Sequence, residues 1–212
     1  MGIVKPTKDA YQELQEAYNF FNKELFDDGL PDCLMTLQRK TNTYGYYVPS
    51  QFVSSAGEHA DEIALNPSYF ATRQVDEVLS TLVHEMCHLW QRHFGKPGRG
   101  RYHNREWADK MKSVGLQPSH TGKAGGKEVG DQVTHFILDD GSFQKAYDLL
   151  IESGYAISWV DKIKPARAAI KGKPSKKATR AKFTCPSCNS NIWGKPTLNV
   201  FCGECEIRFE IV

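Results

Sequence analysis

The sequence predicts an α+β chain made of one substantial domain and a small C-terminal module. Three observations carry this. Residues 7–26 and 74–94 repeat their apolar side chains at helical spacing, with short alternating runs between them. Four cysteines fall into two C-x-x-C pairs within residues 183–212. Between the two parts, residues 162–182 hold nine Lys or Arg and no Asp or Glu. A length of 212 residues allows one core and an appendage.

Residues 7–26 form an amphipathic helix with Tyr11, Leu14, Tyr18, Phe21 and Leu25 on its inner stripe, ended by Asp27-Asp28-Gly29. Residues 33–40 alternate as a strand, and 44–48 follow after a turn as its hairpin partner. Residues 62–65 are a third strand. The segment 74–94, QVDEVLSTLVHEMCHLWQRHF, is the second helix, which Gly95 and Pro97 stop. Asn104 is a predicted N-cap for a third helix carrying Trp107, Met111 and Val114, with Gly115 at its C-terminal end. Residues 122–130 are a Gly-rich loop without the G-K-[ST] ending of a phosphate-binding loop, so no nucleotide cofactor is expected. Residues 131–138, 144–151 and 155–160 read as strand, helix, strand. This unit either packs on the core or flanks it, and no chemistry attaches to it.

Within the second helix, His84, Glu85 and His88 make the pattern H-E-x-x-H. Histidines at i and i+4 lie one turn apart on one face, so their ring nitrogens can meet one metal ion. Zinc brings the pKa of a bound water toward neutrality, and Glu85 is placed to take its proton. Glu85 is therefore the expected catalytic base, with His84 and His88 as zinc ligands. The alternative is an amphipathic helix whose histidines are only polar neighbours of the core. A catalytic zinc needs a third protein ligand and one open position. Phe94 stands where the metzincin spacing requires histidine. His93, five residues past His88, points off the metal face. His103 opens the third helix after the loop GKPGRGRY and is the expected third ligand, ahead of Glu106 and Asp109.

HEMCH, the basic Gly-rich loop after it, the Tyr102-His103-Asn104 return and the run Glu62-Ile63-Ala64-Leu65-Asn66-Pro67 resemble the SprT/Spartan family of zinc metalloproteases. The resemblance covers residues 7–116 well and 117–161 more loosely. It implies a compact zincin-like protease domain that acts near DNA, Spartan members removing proteins crosslinked to DNA. It implies His84, His88 and His103 as metal ligands and Glu85 as the catalytic glutamate. It also makes the 62–67 run the family's edge strand, and in a zincin an edge strand beside the cleft can bind an extended substrate by strand addition. The oxyanion-stabilising group stays open, with Tyr102 or Arg101 suggested by proximity alone.

Cys185, Cys188, Cys202 and Cys205 form two C-x-x-C knuckles separated by 13 residues, with Gly203 expected to ease the second turn. Four thiolates around zinc make a closed site without room for water, so this second zinc is structural. Residues 183–212 are too few to bury an independent core, which gives the metal its purpose. Alternation at Phe183, Val200-Phe201 and 207–211 suggests short strands and a zinc ribbon, which SprT-like proteins often carry. A disulfide framework would suit a secreted chain, but residues 1–7 have no apolar signal segment. A redox C-x-x-C lacks its βαβ context. Cys87 reads as a small core residue.

The net charge of +2 hides an asymmetry: 16 basic against 22 acidic residues in 1–161, and two against three in 183–212. The positive charge sits in 162–182, a predicted mobile linker whose Lys171, Lys173, Lys176, Lys177, Arg180 and Lys182 are candidate contacts to a DNA backbone. Its other reading is a solvated spacer. A smaller basic cluster, Arg92, Lys96, Arg99, Arg101 and Arg105, brackets the loop between the second and third ligands; Arg99 and Arg101 join the DNA candidates. Trp193 and Phe201 could stack on unpaired bases, although aromatics in so small a module usually form its core. The expected organisation is a protease domain over 1–161 (core 7–116, flanking unit 120–161), a linker over 162–182 and a ribbon over 183–212. The expected function is a zinc endopeptidase acting on DNA-associated proteins in the cytoplasm, with no membrane partner. The rivals are a non-catalytic DNA-binding zinc protein or regulator, and a zinc hydrolase of non-peptide amides.

Overall fold

A computed structural model of the protein describes residues 5–162 and 181–211, which form two compact units, one in each stretch. In the first, helix α1 (Pro6–Phe26) opens on a proline, where a backbone N–H has no intrahelical partner to lose. It closes where Asp27 turns left-handed at φ 55°. Its buried side is Leu14, Ala17, Tyr18, Phe21 and Phe26. The expected stripe is thus trimmed at its ends: Tyr11 remains 41 % exposed and Leu25 is only partly buried.

Strands β1 (Leu34–Leu37), β2 (Gly45–Val53) and β3 (His59–Leu65) make one sheet in the order β1-β3-β2. β3 runs parallel to β1 and antiparallel to β2. Two expectations are corrected here. The first two strands are not a hairpin, and the 62–65 run is the central strand, not an edge. The reason is burial. Asp61 through Leu65 are all buried, and a strand covered on both faces satisfies its backbone groups only with neighbours on both sides. β2 takes the edge, where an exposed second half and Pro49, at an irregularity between Val48 and Phe52, are tolerated.

Helix α2 (Val75–Phe94) starts where Glu77 accepts the N–H of Gln74 at 3.0 Å. Residues 78–87 are buried without a break, so α2 runs through the core instead of along its surface. Helix α3 (Arg105–Ser113) buries Trp107, Ala108 and Met111. Gly115 follows at φ +86°, and a Cβ there would stand 2.6 Å from the backbone nitrogen of Phe143, so the chain turns tightly under the next helix. Strands β4 (Leu116–Ser119) and β5 (Thr134–Ile137) pair antiparallel. Helix α4 (Ser142–Glu152) packs on α1, with the Phe21 and Phe143 rings stacked 5.5 Å apart. Phe143, Ala146, Leu150 and Tyr155 belong to the same core as α1 and α2. The strand expected at 155–160 does not form. Its backbone is held by side chains instead, the Ser158 N–H donating to Glu13 at 2.9 Å. No helix among the described residues is long and apolar enough to cross a membrane.

The second unit is a three-stranded antiparallel sheet in the order β7-β6-β8, formed by β6 (Ala181–Thr184), β7 (Asn191–Gly194) and β8 (Glu210–Ile211). Phe183, Cys185, Cys202 and Phe209 are its buried core. The strand expected at 200–201 is reduced to a single bridge between Phe201 and Arg208. Of the expected basic DNA contacts in the linker, Lys171, Lys173, Lys176, Lys177 and Arg180 lie outside the described residues; Lys182 lies on β6.

Candidate functional site

α2 and the residue before α3's N-cap bring three imidazoles together: one ring nitrogen from each of His84, His88 and His103 lies within 4.8 Å of the others. The helical turn sets the first two. The third is set by a network around Asn104, which caps α3 by accepting the Trp107 N–H at 3.0 Å. The same Asn104 oxygen accepts from Gln91 of α2 at 2.6 Å, and its amide donates to the Lys96 carbonyl at 2.8 Å. The start of α3 is thereby tied to the end of α2.

His103 itself is locked to the Gly-rich loop. Its backbone exchanges two hydrogen bonds with Gly130, at 2.9 and 3.0 Å, and its Nδ1 lies 3.0 Å from the Gly130 carbonyl. A carbonyl only accepts, so Nδ1 carries the hydrogen and Nε2 keeps a free lone pair. The loop that lacks a phosphate-binding ending therefore positions a candidate ligand. The other candidates point elsewhere. Glu106 accepts from Gln91 at 2.8 Å and from the Lys96 N–H at 2.6 Å. His93 is 2.8 Å from Asp61, and Asp109 is 2.9 Å from Lys112.

Trp107 lies fully buried against the cluster, its ring centroid 4.9, 5.1 and 4.3 Å from those of His84, His88 and His103. Burial pushes His84 well below the usual histidine range and His88 down to about 3; it also lowers His103, against the opposing hydrogen bond that His103 donates to the Gly130 carbonyl. Neutral imidazoles are the form that ligates a cation. Burial also pushes the Glu85 carboxyl up to about 8.

Sequence reasoning missed two neighbours of this cluster. His135 on β5 lies 3.0 Å from His84, nitrogen to nitrogen, and 2.9 Å from the hydroxyl of Ser80. Tyr47 on β2 lies over His88, ring centroids 6.4 Å apart, with its hydroxyl donating to Asp61 at 2.7 Å. Both come from residues far along the chain with no local motif. Tyr102 and Arg101 stay on the exposed loop with Lys96 and Arg99, Arg92 is exposed on the last turn of α2, and Arg105 reaches Glu128 at 2.5 Å.

In the second unit Cys185, Cys188, Cys202 and Cys205 form the other cluster, their sulfurs within 4.8 Å of one another. The two knuckles repeat one turn. Cys185 accepts from the Asn189 N–H and donates to the Ser190 carbonyl, and Cys202 does the same with Glu206 and Ile207. The left-handed residues are Asn189 at φ 58° and Glu206 at φ 53°, so the second turn bends at Glu206 and not at Gly203. Cys188 and Cys202 sulfurs are 3.7 Å apart, close to the roughly 3.8 Å edge of a tetrahedron with 2.3 Å zinc–sulfur bonds. Hydrogen bonds from Ser190 bring the Cys188 thiol down to about 6, toward the thiolate that binds metal. Trp193 and Phe201 are 63 % and 61 % exposed. The expectation that they build the module's core is corrected: Phe183 and Phe209 fill it.

These features define a mixed α+β protein with two clusters of side chains able to hold metal. The chain belongs to the SprT-like family, whose model matches residues 14–128. It is also 52% identical over 64 residues to an uncharacterized protein in the mucB 3' region of Salmonella typhimurium, a match covering 30% of this chain and 86% of that protein. No solved structure matches the chain.

Proposed function

We propose that the protein is a zinc-dependent endopeptidase acting on DNA-associated proteins, including proteins crosslinked to DNA. The observation that carries this reading is the convergence of His84, His88 and His103 in a SprT-like chain, with Glu85 buried on the same helix turn. The donor sets suit zinc: three neutral imidazoles in the first unit and four cysteine sulfurs in the second. His84, His88 and His103 would hold the catalytic ion, and the four cysteines a structural ion in a zinc ribbon. When bound, the catalytic zinc supplies an acidic water and a positive charge for the scissile carbonyl. Glu85 would serve as the base, accepting a proton from the attacking water and returning one to the leaving amine nitrogen. Trp107 and the Gly130 carbonyl hold the ligand rings in place.

We read the first unit as zincin-like, with the free edge of β2, not β3, as the strand on which an extended peptide adds. The DNA part of the proposal rests on the basic 162–182 segment and on the ribbon's exposed Trp193 and Phe201. On the sheet Lys182 pairs with Trp193, so a cation and a stacking surface adjoin.

The test incubates zinc-loaded full-length protein with a DNA-bound basic protein, with and without DNA, beside Glu85→Gln. Cleavage that needs both Glu85 and DNA supports the whole proposal. Cleavage that needs Glu85 but ignores DNA keeps the peptidase and reduces the basic segment to a tether. DNA binding without cleavage under any condition favours a non-catalytic zinc protein.

A further inference from the structure

We propose that His135 and Ser80 form a positioning relay that fixes the ring tautomer of His84 and aims its Nε2 lone pair toward the site. This rests on the reading of His84 as a metal ligand, and adds residues that neither the motif nor the family match singles out.

The direction of the relay follows from its far end. The Ser80 hydroxyl lies 2.9 Å from the backbone carbonyl of Glu77. A carbonyl has no hydrogen to give, so the hydroxyl spends its only one there. Its oxygen can then only accept from His135 Nε2, 2.9 Å away, which must carry a hydrogen. A neutral imidazole has one N–H, which leaves His135 Nδ1 bare. That bare nitrogen is 3.0 Å from His84 Nδ1, which must therefore be the donor. His84 is left with an unprotonated Nε2.

The architecture explains how a residue on a strand reads out a helix. Ser80 and His84 are four residues apart on α2 and so share a face. His135, paired with Pro118 in the β4–β5 hairpin, spans the two, one nitrogen to each. His103 is oriented by a backbone carbonyl, whereas His84 is oriented by a second, non-ligating histidine. The two rings of the relay hold opposite tautomers, a property no merely space-filling role predicts.

The decisive measurement is a long-range 1H–15N correlation spectrum of the 15N-labelled, metal-free full-length chain. His84 is expected as the Nδ1–H tautomer and His135 as the Nε2–H tautomer. His84 found as Nε2–H overturns the relay. A Co2+ titration supplies the second readout, the histidine site being separable from the cysteine site because only the latter gives thiolate charge-transfer absorption. His135→Leu is expected to weaken Co2+ binding at the histidine site by about 10- to 100-fold. His135→Asn, whose carbonyl oxygen can stand where Nδ1 stood, is expected to recover most of it. Unchanged affinity in folded His135→Leu also overturns the relay. Should that variant not fold, Ser80→Ala, which removes the anchor, is expected to mix the His84 tautomers; a single unchanged tautomer there counts against the proposal. A wild-type chain that binds no Co2+ through its histidines defeats the peptidase reading, while the metal-free spectrum still judges the relay.

Discussion

The indole of Trp107 sits 4.3 Å from the imidazole of His103, centroid to centroid, and reaches His84 and His88 with the same ring. One side chain of α3 thus supports two residues of α2 and one from the segment before α3. Trp107→Ala is expected to cost about 3–5 kcal/mol of stability and to loosen the histidine cluster. Its Nε1–H is buried with no acceptor among the described residues, so Trp107→Phe forfeits no hydrogen bond to them and is expected to be far milder. Urea denaturation of both variants checks this; equal losses would mean the indole nitrogen matters.

Glu85→Gln is expected to reduce peptide hydrolysis by roughly 10²- to 10⁴-fold and to leave metal content unchanged. Turnover and metal analysis on one preparation decide the matter. Normal proteolysis by the variant would remove Glu85 from the chemistry.

Asp61 links the bulged strand to α2. Burial by itself would raise its carboxyl, but the Ser50 N–H, His93 and the Tyr47 hydroxyl outweigh it and hold the group below the ordinary aspartate range. A depressed folded-state pKa contributes stability that is present above the unfolded value and is lost as pH falls through the folded one. Asp61→Asn is therefore expected to cost about 1–3 kcal/mol near pH 7, with the gap from wild type closing below about pH 4. A gap that stays constant across a pH series of urea melts would count against this.

Cys185→Ser removes one of four clustered sulfurs from a module whose core is four residues. The sheet of β6, β7 and β8 is expected to unfold and DNA affinity to fall, with the unfolding transition of residues 5–162 unmoved. Unchanged DNA affinity would relieve the module of that role.

Glu206 is a left-handed residue at φ 53° in the second knuckle, where a glycine meets no steric penalty. Glu206→Gly is expected to stabilise the module by up to about 1 kcal/mol. A thermal melt of the C-terminal unit in the full chain, followed through Trp193, measures it; a loss of stability would show the Glu206 side chain to be needed.

The parts of this protein legible in its sequence are those that one turn of backbone determines. α2 and its stop at Gly95 follow from apolar period and a breaker, and Asn104 caps α3 as its chemistry predicts. An i, i+4 pair of histidines and a C-x-x-C turn are local geometries, so residues 84, 88, 185, 188, 202 and 205 were readable as clusters. His103 needed one further step, a loop returning to a helix start. Tertiary structure decided the rest. β3 became the central strand because its flanks are covered on both faces, which depends on where α2 and the neighbouring strands pack. Gly130 and His135 meet the histidines across 27 and 51 residues of chain, and Trp193 stays outside while Phe183 goes in. Local backbone preferences act within a few residues and can be read one window at a time. Which distant groups share a buried site is set by the burial and hydrogen bonding of the whole chain, and no single window contains it.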